Sequence, residues 1–265
     1  MRKGKKALMG IAAVLFMVVC CFLEHIIYKN TDVINQNQPE VSVISDAVLE
    51  NQEEVKKKEQ KVAYLTFDDG PSVVTERVLD VLKAYEINAT FFLIGSNLTE
   101  EQEPLVKRMV EEGNTVGIHT YCHEADCMYG SFENYKADFC KAEKRVQEVT
   151  GVKSTLCRFP WGSANAYLVG MKKQVVSWLE TKGYAYCDWN VSAEDSVGTP
   201  TACSIMKNIK KDYERYNQPV ILMHDSSTNA LTAELLPDII VMLKDRGYQF
   251  DTLDHMETPY QYPMN

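Results

Sequence analysis

The chain has 265 residues, enough for one or two domains, and its 45% hydrophobic and 10% aromatic content is that of a globular protein rather than a disordered one. The net charge of −9 lies wholly beyond residue 60, where 29 acidic residues face 20 basic ones; the first 60 residues hold 8 of each. An acidic globular part argues against nucleic acid, whose phosphates need clustered Lys and Arg, and favours a neutral substrate.

Arg2, Lys3, Lys5 and Lys6 precede an uninterrupted apolar run at residues 7–23. That run is at the short end of a membrane-spanning helix, which needs roughly 17–25 residues, and the basic flank would stay inside and send the rest outward. A cleaved signal peptide is the rival, but the run ends "VVCCFL", without the small-residue pattern that cleavage needs. Residues 1–28 are therefore expected to be an uncleaved anchor, single-pass in the cell membrane, with the remainder outside. Residues 29–60, rich in Asn, Gln, Glu and Lys, read as a polar stalk.

From residue 61 a grammar repeats: β-prone run, loop, amphipathic helix, Gly, next run. Residues 62–67 predict a strand. "TERVLDVLKAYE" sets Val78, Leu79, Leu82 and Tyr85 on one helical face. "ATFFLIG" predicts a second strand, and "EPLVKRMVEEG" a helix with Pro104 near its start and Gly113 as its stop. Gly113, Gly151, Gly183 and Gly247 each precede a β-prone run, as suits the left-handed residue that ends a helix. A last helix over about residues 232–246 presents Leu235, Leu236, Ile239, Ile240 and Leu243 as core, with Pro237 marking a late start or a kink. The globular domain spans 61–253, with a tail at 254–265.

About seven strand–helix units in this length predict an α/β fold with a parallel sheet covered by helices, either open or closed as a barrel. No G-x-G-x-x-G follows a strand, which removes the usual support for a nucleotide-binding version. In a barrel, chemistry gathers at the carboxyl ends of the strands. There the chain puts Asp68 and Asp69 after the first strand, His119 after "TVGI", Arg158 after "STLC" and His224 after "VILM".

"TFDDGPS" alone is ordinary turn chemistry. "HTYCH", however, sets two imidazoles four apart just past a strand, and two His with one carboxylate and an open position is a usual catalytic zinc arrangement. One carboxylate of the Asp pair can be the third ligand, leaving the other free as a base. Six cysteines lie beyond the apolar run: Cys122, Cys127, Cys140, Cys157, Cys187 and Cys203. Their spacing fixes no disulfide framework, Cys122 and Cys127 lack the second pair of a metal site, and most are expected to be small buried hydrophobes.

"TFDDG", "HTYCH", "RFPWG" and "LMH", in that order over residues 61–251, resemble the polysaccharide deacetylases, the NodB-homology domain of carbohydrate esterase family 4. The resemblance implies a distorted (β/α) barrel with a metal site at the carboxyl ends of the strands. It implies a divalent metal, with zinc expected and cobalt or manganese as alternatives, held by Asp69, His119 and His123. Asp68 would be the general base, held by Arg158, and His224 the general acid. The Trp161 N–H would help bind the oxyanion, where the family more often has Tyr, and Leu222 would line the acetyl pocket. In the fourth motif the chain departs from the pattern. Laid on "WNVSAEDS", Asp195 takes the position of the carboxylate partner of His224, but Ser196 stands where a Trp is usual; Asp188-Trp189 is a second possible register. Trp189 or Trp161 would fill the missing wall, or the pocket is wider.

The resulting expectation is a monomeric hydrolase, with no nucleic-acid partner, that removes N-acetyl groups from N-acetylglucosamine of peptidoglycan. The rivals are a chitooligosaccharide deacetylase, an acetylxylan esterase, an anchored glycan-binding protein without catalysis, and a non-haem iron oxygenase, which also uses two His and one carboxylate.

Overall fold

The computed structural model describes residues 60–263. The anchor, and the stalk up to residue 59, lie outside the described residues. Among the described residues no helix is long and apolar enough to cross a membrane.

The chain runs β1 (Val62–Asp68), α1 (Val73–Ala84), β2 (Thr90–Ile94), α2 (Glu103–Glu111), β3 (Thr115–Thr120), α3 (Ala125–Met128), α4 (Phe132–Thr150), β4 (Leu156–Cys157), α5 (Lys172–Thr181), β5 (Ala185–Tyr186), β6 (Val191–Ser192), α6 (Ala202–Asp212), β7 (Val220–His224), α7 (Ala230–Asp245) and β8 (Gln249–Phe250). All ladders are parallel, in the order β5-β4-β3-β2-β1-β7-β6, with β8 on the first residues of β1. This is a distorted (β/α) barrel. Among the described residues no ladder joins β5 to β6, and no helix separates them.

The gap beside β5 is covered by the C-terminal segment. The Asp188 N–H donates to the Tyr260 carbonyl (2.7 Å), and Gln261 Nε2 donates to the Tyr186 carbonyl (3.0 Å). The Tyr262 ring packs on Trp189 at 5.6 Å.

Strand alternation divides the molecule into two cores. Ala63, Leu65 and Phe67 of β1, Phe91 and Leu93 of β2, and Ile221 and Met223 of β7 face the helices. Tyr64, Phe92, Leu156, Cys187 and Val220 fill the inside. Both faces are covered, so these strands read as continuous apolar runs rather than alternating ones. Gly117 is where close approach demands glycine: a Cβ there would lie 2.5 Å from the Phe92 ring.

Local signals mark several helix ends. Ser72 and Thr75 form a capping box on α1, and Thr201 and Ser204 do the same for α6. Gly113, Gly151, Gly183 and Gly247 all take positive φ. The last helix starts at Ala230, two residues before the predicted start, and runs through Pro237. The expectation that most cysteines are buried fails: only Cys157 and Cys187 are, while Cys127, Cys140 and Cys203 are exposed. The last three lie on α3, α4 and α6, whose outer faces meet water.

Candidate active site

Register does much of the assembly. Asp68 and His224 are partners on adjacent parallel strands, as are Thr66 and Leu222 two residues below them. Leu222 therefore lies on the same interior face as His224, and it is buried.

Arg158 follows β4 and is fully enclosed. Its Nη1 donates to Asp68 Oδ1 (3.0 Å) and Thr66 Oγ1 (2.7 Å), its Nε to the Cys187 carbonyl (2.9 Å) and its Nη2 to the Asp188 carbonyl (3.1 Å). The guanidinium carbon rests 4.3 Å above the Phe92 ring that Gly117 accommodates. A buried cation with this many acceptors is fixed in place, and it fixes Asp68.

Asp69 follows Asp68 with φ of 76°, which turns its side chain away from that of Asp68. Its Oδ1 lies 3.4 Å from His119 Nε2 and 3.3 Å from His123 Nε2. His119 Nδ1 lies 2.9 Å from the Arg158 carbonyl. A carbonyl only accepts, so Nδ1 carries the proton and Nε2 presents a lone pair. Burial alone would push the Asp69 carboxyl up, but the facing His119, His123 and His224 more than offset this and hold it at about 2. Burial, and then His119, lower the His123 pKa, which favours the neutral imidazole that a metal needs.

These three residues fit a divalent metal. Asp69 Oδ1 is buried without a hydrogen-bond partner, and the three ligand atoms lie within 4.8 Å of one another. Separations of 3.3–3.4 Å are too long for good hydrogen bonds but match the edge of a tetrahedron whose corners lie about 2.0–2.2 Å from its centre.

Of the two registers left open for the partner of His224, Asp195 is the one beside it. Asp195 Oδ1 accepts from His224 Nδ1 (2.8 Å), while Oδ2 accepts from the His224 N–H (2.8 Å) and Thr232 Oγ1 (2.7 Å). Asp188 is occupied elsewhere: it accepts from the Ser163 N–H and hydroxyl and from the Tyr262 N–H. Burial would lower the His224 pKa, but hydrogen bonding and charge from Asp195, with Asp68 and Asp69 behind, raise it to about 9. Ser196 Oγ lies 3.4 Å from His224 Nε2, so a polar contact stands where a Trp wall would be.

Trp161 takes φ of 62°, and its ring stands 5.0 Å from that of His123 and 5.4 Å from that of Tyr167. Trp189 lies to the other side, against Gly162 and 5.7 Å from the Arg158 guanidinium. Asp69, His123 and Trp161 all hold left-handed backbone without being glycine, a cost of about 1–3 kcal/mol each that is typical of functional sites.

Two carboxylates outside the expected site residues support this arrangement. Asp138 on α4 accepts from Thr120 Oγ1 (2.6 Å), the Tyr121 N–H (2.8 Å) and the Cys122 N–H (3.0 Å), and so pins the loop between the two histidines. Its signal was legible: it is a charge on the apolar stripe of Tyr135, Phe139 and Ala142. Asp225, fully buried, donates its N–H to the Asp68 carbonyl and accepts from Thr75 Oγ1; burial pushes its carboxyl up to about 7. It packs so closely on Gly70 that a Cβ there would strike the carboxylate.

An Asp–His–His cluster, an Arg-held aspartate and an Asp-held histidine at the carboxyl ends of a parallel barrel define a hydrolase-type site of the carbohydrate esterase class. Comparison with known proteins agrees. The family model described as "Polysaccharide deacetylase" matches residues 55–176. A peptidoglycan-N-acetylglucosamine deacetylase of Bacillus cereus is 34% identical over 217 residues, covering 78% of this chain and 74% of that protein. A bifunctional xylanase/deacetylase of Pseudobutyrivibrio xylanivorans is 32% identical over 74% of this chain, which spans 30% of that longer protein. The crystal structure of the catalytic domain of a peptidoglycan N-acetylglucosamine deacetylase from Eubacterium rectale superposes with a TM-score of 0.70 at 31% identity, covering 77% of this chain and 94% of that one. The chain belongs to the polysaccharide deacetylase family and is an enzyme of that kind.

Proposed function

We propose that the enzyme removes N-acetyl groups from N-acetylglucosamine residues of peptidoglycan, working from the outer face of the membrane to which residues 1–28 anchor it. The observation that carries this reading is the apposition of two separately held proton-transfer groups, Asp68 on Arg158 and His224 on Asp195, around the Asp69–His119–His123 cluster.

Amide hydrolysis at neutral pH needs an activated water, charge stabilisation at the carbonyl oxygen and a proton for the leaving amine. A divalent metal held by Asp69, His119 and His123 would supply a Lewis acid able to lower the pKa of water from 15.7 to about 7. Asp68 accepts the proton from the attacking water, with Arg158 orienting it. The Trp161 N–H faces the developing oxyanion, and Leu222 takes the acetyl methyl. His224, protonated through Asp195, donates from Nε2 to the departing sugar nitrogen. Ser196 in place of a bulky ring leaves that end of the acetyl pocket wider. The exposed rings of Trp161 and Tyr167 offer flat faces to pyranose C–H groups, so recognition rests on stacking and hydroxyl contacts and not on charge.

The test compares acetate released by the full chain from peptidoglycan, chitin pentamer and acetylated xylan. Peptidoglycan and the chitin oligomer, which share the N-acetyl sugar, are expected to be processed. Acetylated xylan as clearly the best substrate would replace the amidase with an acetylxylan esterase.

The His224–Asp195 pair gives the reaction its basic limit. The folded pKa of about 9 lies above the ordinary 6.5, so the pair's contribution to stability is complete below about 6.5 and is lost as pH rises through about 9. Asp195→Asn removes the charge that holds the proton. The basic limb of the kcat profile is expected to move from near 9 to about 6.5 or below. A limb that stays in place would show that another group donates the proton.

A further inference from the structure

Cys122 and Cys127 have no part in this chemistry, yet the fold sets them against each other. Their sulfurs and a carboxylate oxygen of Asp138 lie within 4.8 Å of one another. Cys122 stands between His119 and His123 and is half-buried; Cys127 is exposed on α3. Asp138 has little left to offer a cation, because Oδ1 already accepts from the Cys122 N–H and Oδ2 from Thr120 and the Tyr121 N–H. Two thiols remain, fewer than the three or four protein ligands of an ordinary zinc site. Among the described residues the other thiols have no comparable neighbour: Cys157 and Cys187 belong to cores on opposite faces of the sheet, and Cys140 and Cys203 are on α4 and α6.

We propose that Cys122 and Cys127 form a reversible disulfide, a covalent staple across the loop that carries His123. The oxidant is a small-molecule disulfide. The exposed Cys127, as thiolate, attacks one of its sulfurs, releasing the first small thiol and leaving a mixed disulfide. Cys122 loses its proton to water, and its sulfur displaces the second small thiol. Two protein thiols thereby give up two electrons and two protons, and one external disulfide leaves as two thiols.

The staple has a mechanical purpose. Without it the loop is held by the hydrogen bonds of Asp138, while His123 keeps φ of 53°. A link between residues five apart removes open conformations of that loop, and His123 can then leave a bound metal less often.

The test takes the metal-loaded full chain through an oxidised/reduced glutathione series, alkylates it after denaturation and maps its peptides. A Cys122–Cys127 linked peptide should appear, lighter by two hydrogens, while Cys157 and Cys187 are recovered alkylated. Cys127→Ser should abolish the link. The oxidised chain should also lose metal to a chelator several-fold more slowly than the reduced chain, a difference that Cys127→Ser erases. Recovery of both cysteines alkylated, or of Cys127 still carrying glutathione, overturns the proposal, and so does an unchanged rate of metal loss. A reduced chain that binds one more Cd²⁺ than Cys127→Ser would instead make the pair a cation site. None of these readings depends on which polysaccharide is deacetylated.

Discussion

Asp68→Asn is expected to lower turnover by about 10²–10⁴-fold while the chain stays folded and keeps its metal. Asn retains the oxygen that accepts from Arg158 Nη1, and the other Arg158 contacts, to Thr66 and the carbonyls of Cys187 and Asp188, do not involve the replaced group. What disappears is the capacity to take a proton. Some stability goes as well, since the buried guanidinium loses the charge that balances it. The variant should therefore be compared with the parent by metal content, thermal unfolding and kcat together. Normal turnover would mean that another group is the base. A loss of metal parallel to the loss of rate would mean that Asp68 acts through the ligand cluster.

His123→Ala is expected to abolish measurable deacetylation through loss of the metal itself. With two protein ligands left of three, metal retained after gel filtration should fall to a small fraction of the parent's. His123 is a cleaner choice than His119. The His119 ring is buried and bonded to the Arg158 carbonyl, so its removal would also disturb the segment that holds Asp68. The His123 side chain is 27% exposed, and its ring meets mainly those of His119 and Trp161. Metal content is read by elemental analysis, so the result stands apart from any assay of substrate. Full metal occupancy in His123→Ala would remove it from the ligand set.

Much of this arrangement was legible because the chemistry sits at strand ends, and strand ends are marked in the sequence by the step from an apolar run to a polar residue. β1, β2, β3 and β7 are such runs, and Asp68, His119 and His224 are their last or nearly last residues. The two-residue strands β4, β5 and β6 give a weaker signal; the glycine-ended helices before them placed β4 and β5, while no helix precedes β6 directly. Asp195 was the expected partner of His224, with Asp188 kept as a second register because both follow β-prone residues. Only the fold shows that one meets His224 and the other meets Ser163 and Tyr262. Asp138 could be flagged as a charge on the apolar stripe of α4. What neither it nor Asp225 reveals is its partners, which are mainly backbone N–H groups and hydroxyls of other segments and leave no trace in spacing. Helix limits were good to two residues, as at Ala230, where the first turn is entered from Asn229 without a side-chain cap to announce it.

The covering of β5 by residues 260–262 bears on the order in which the molecule is made. A chain emerging from its amino end can lay β1, β2 and β3 side by side early, and with them Asp68, Asp69 and both histidines. The turn after Arg158 has to wait: Asp188, which holds Ser163, is itself held by Tyr262, a hundred positions after Gly162. Contacts so far apart in sequence form slowly, because the intervening loop must be closed before they give anything back. The wall carrying Trp161 therefore depends on long-range contacts, Tyr262 on Trp189 among them, in a way that Asp69, His119 and His123 do not.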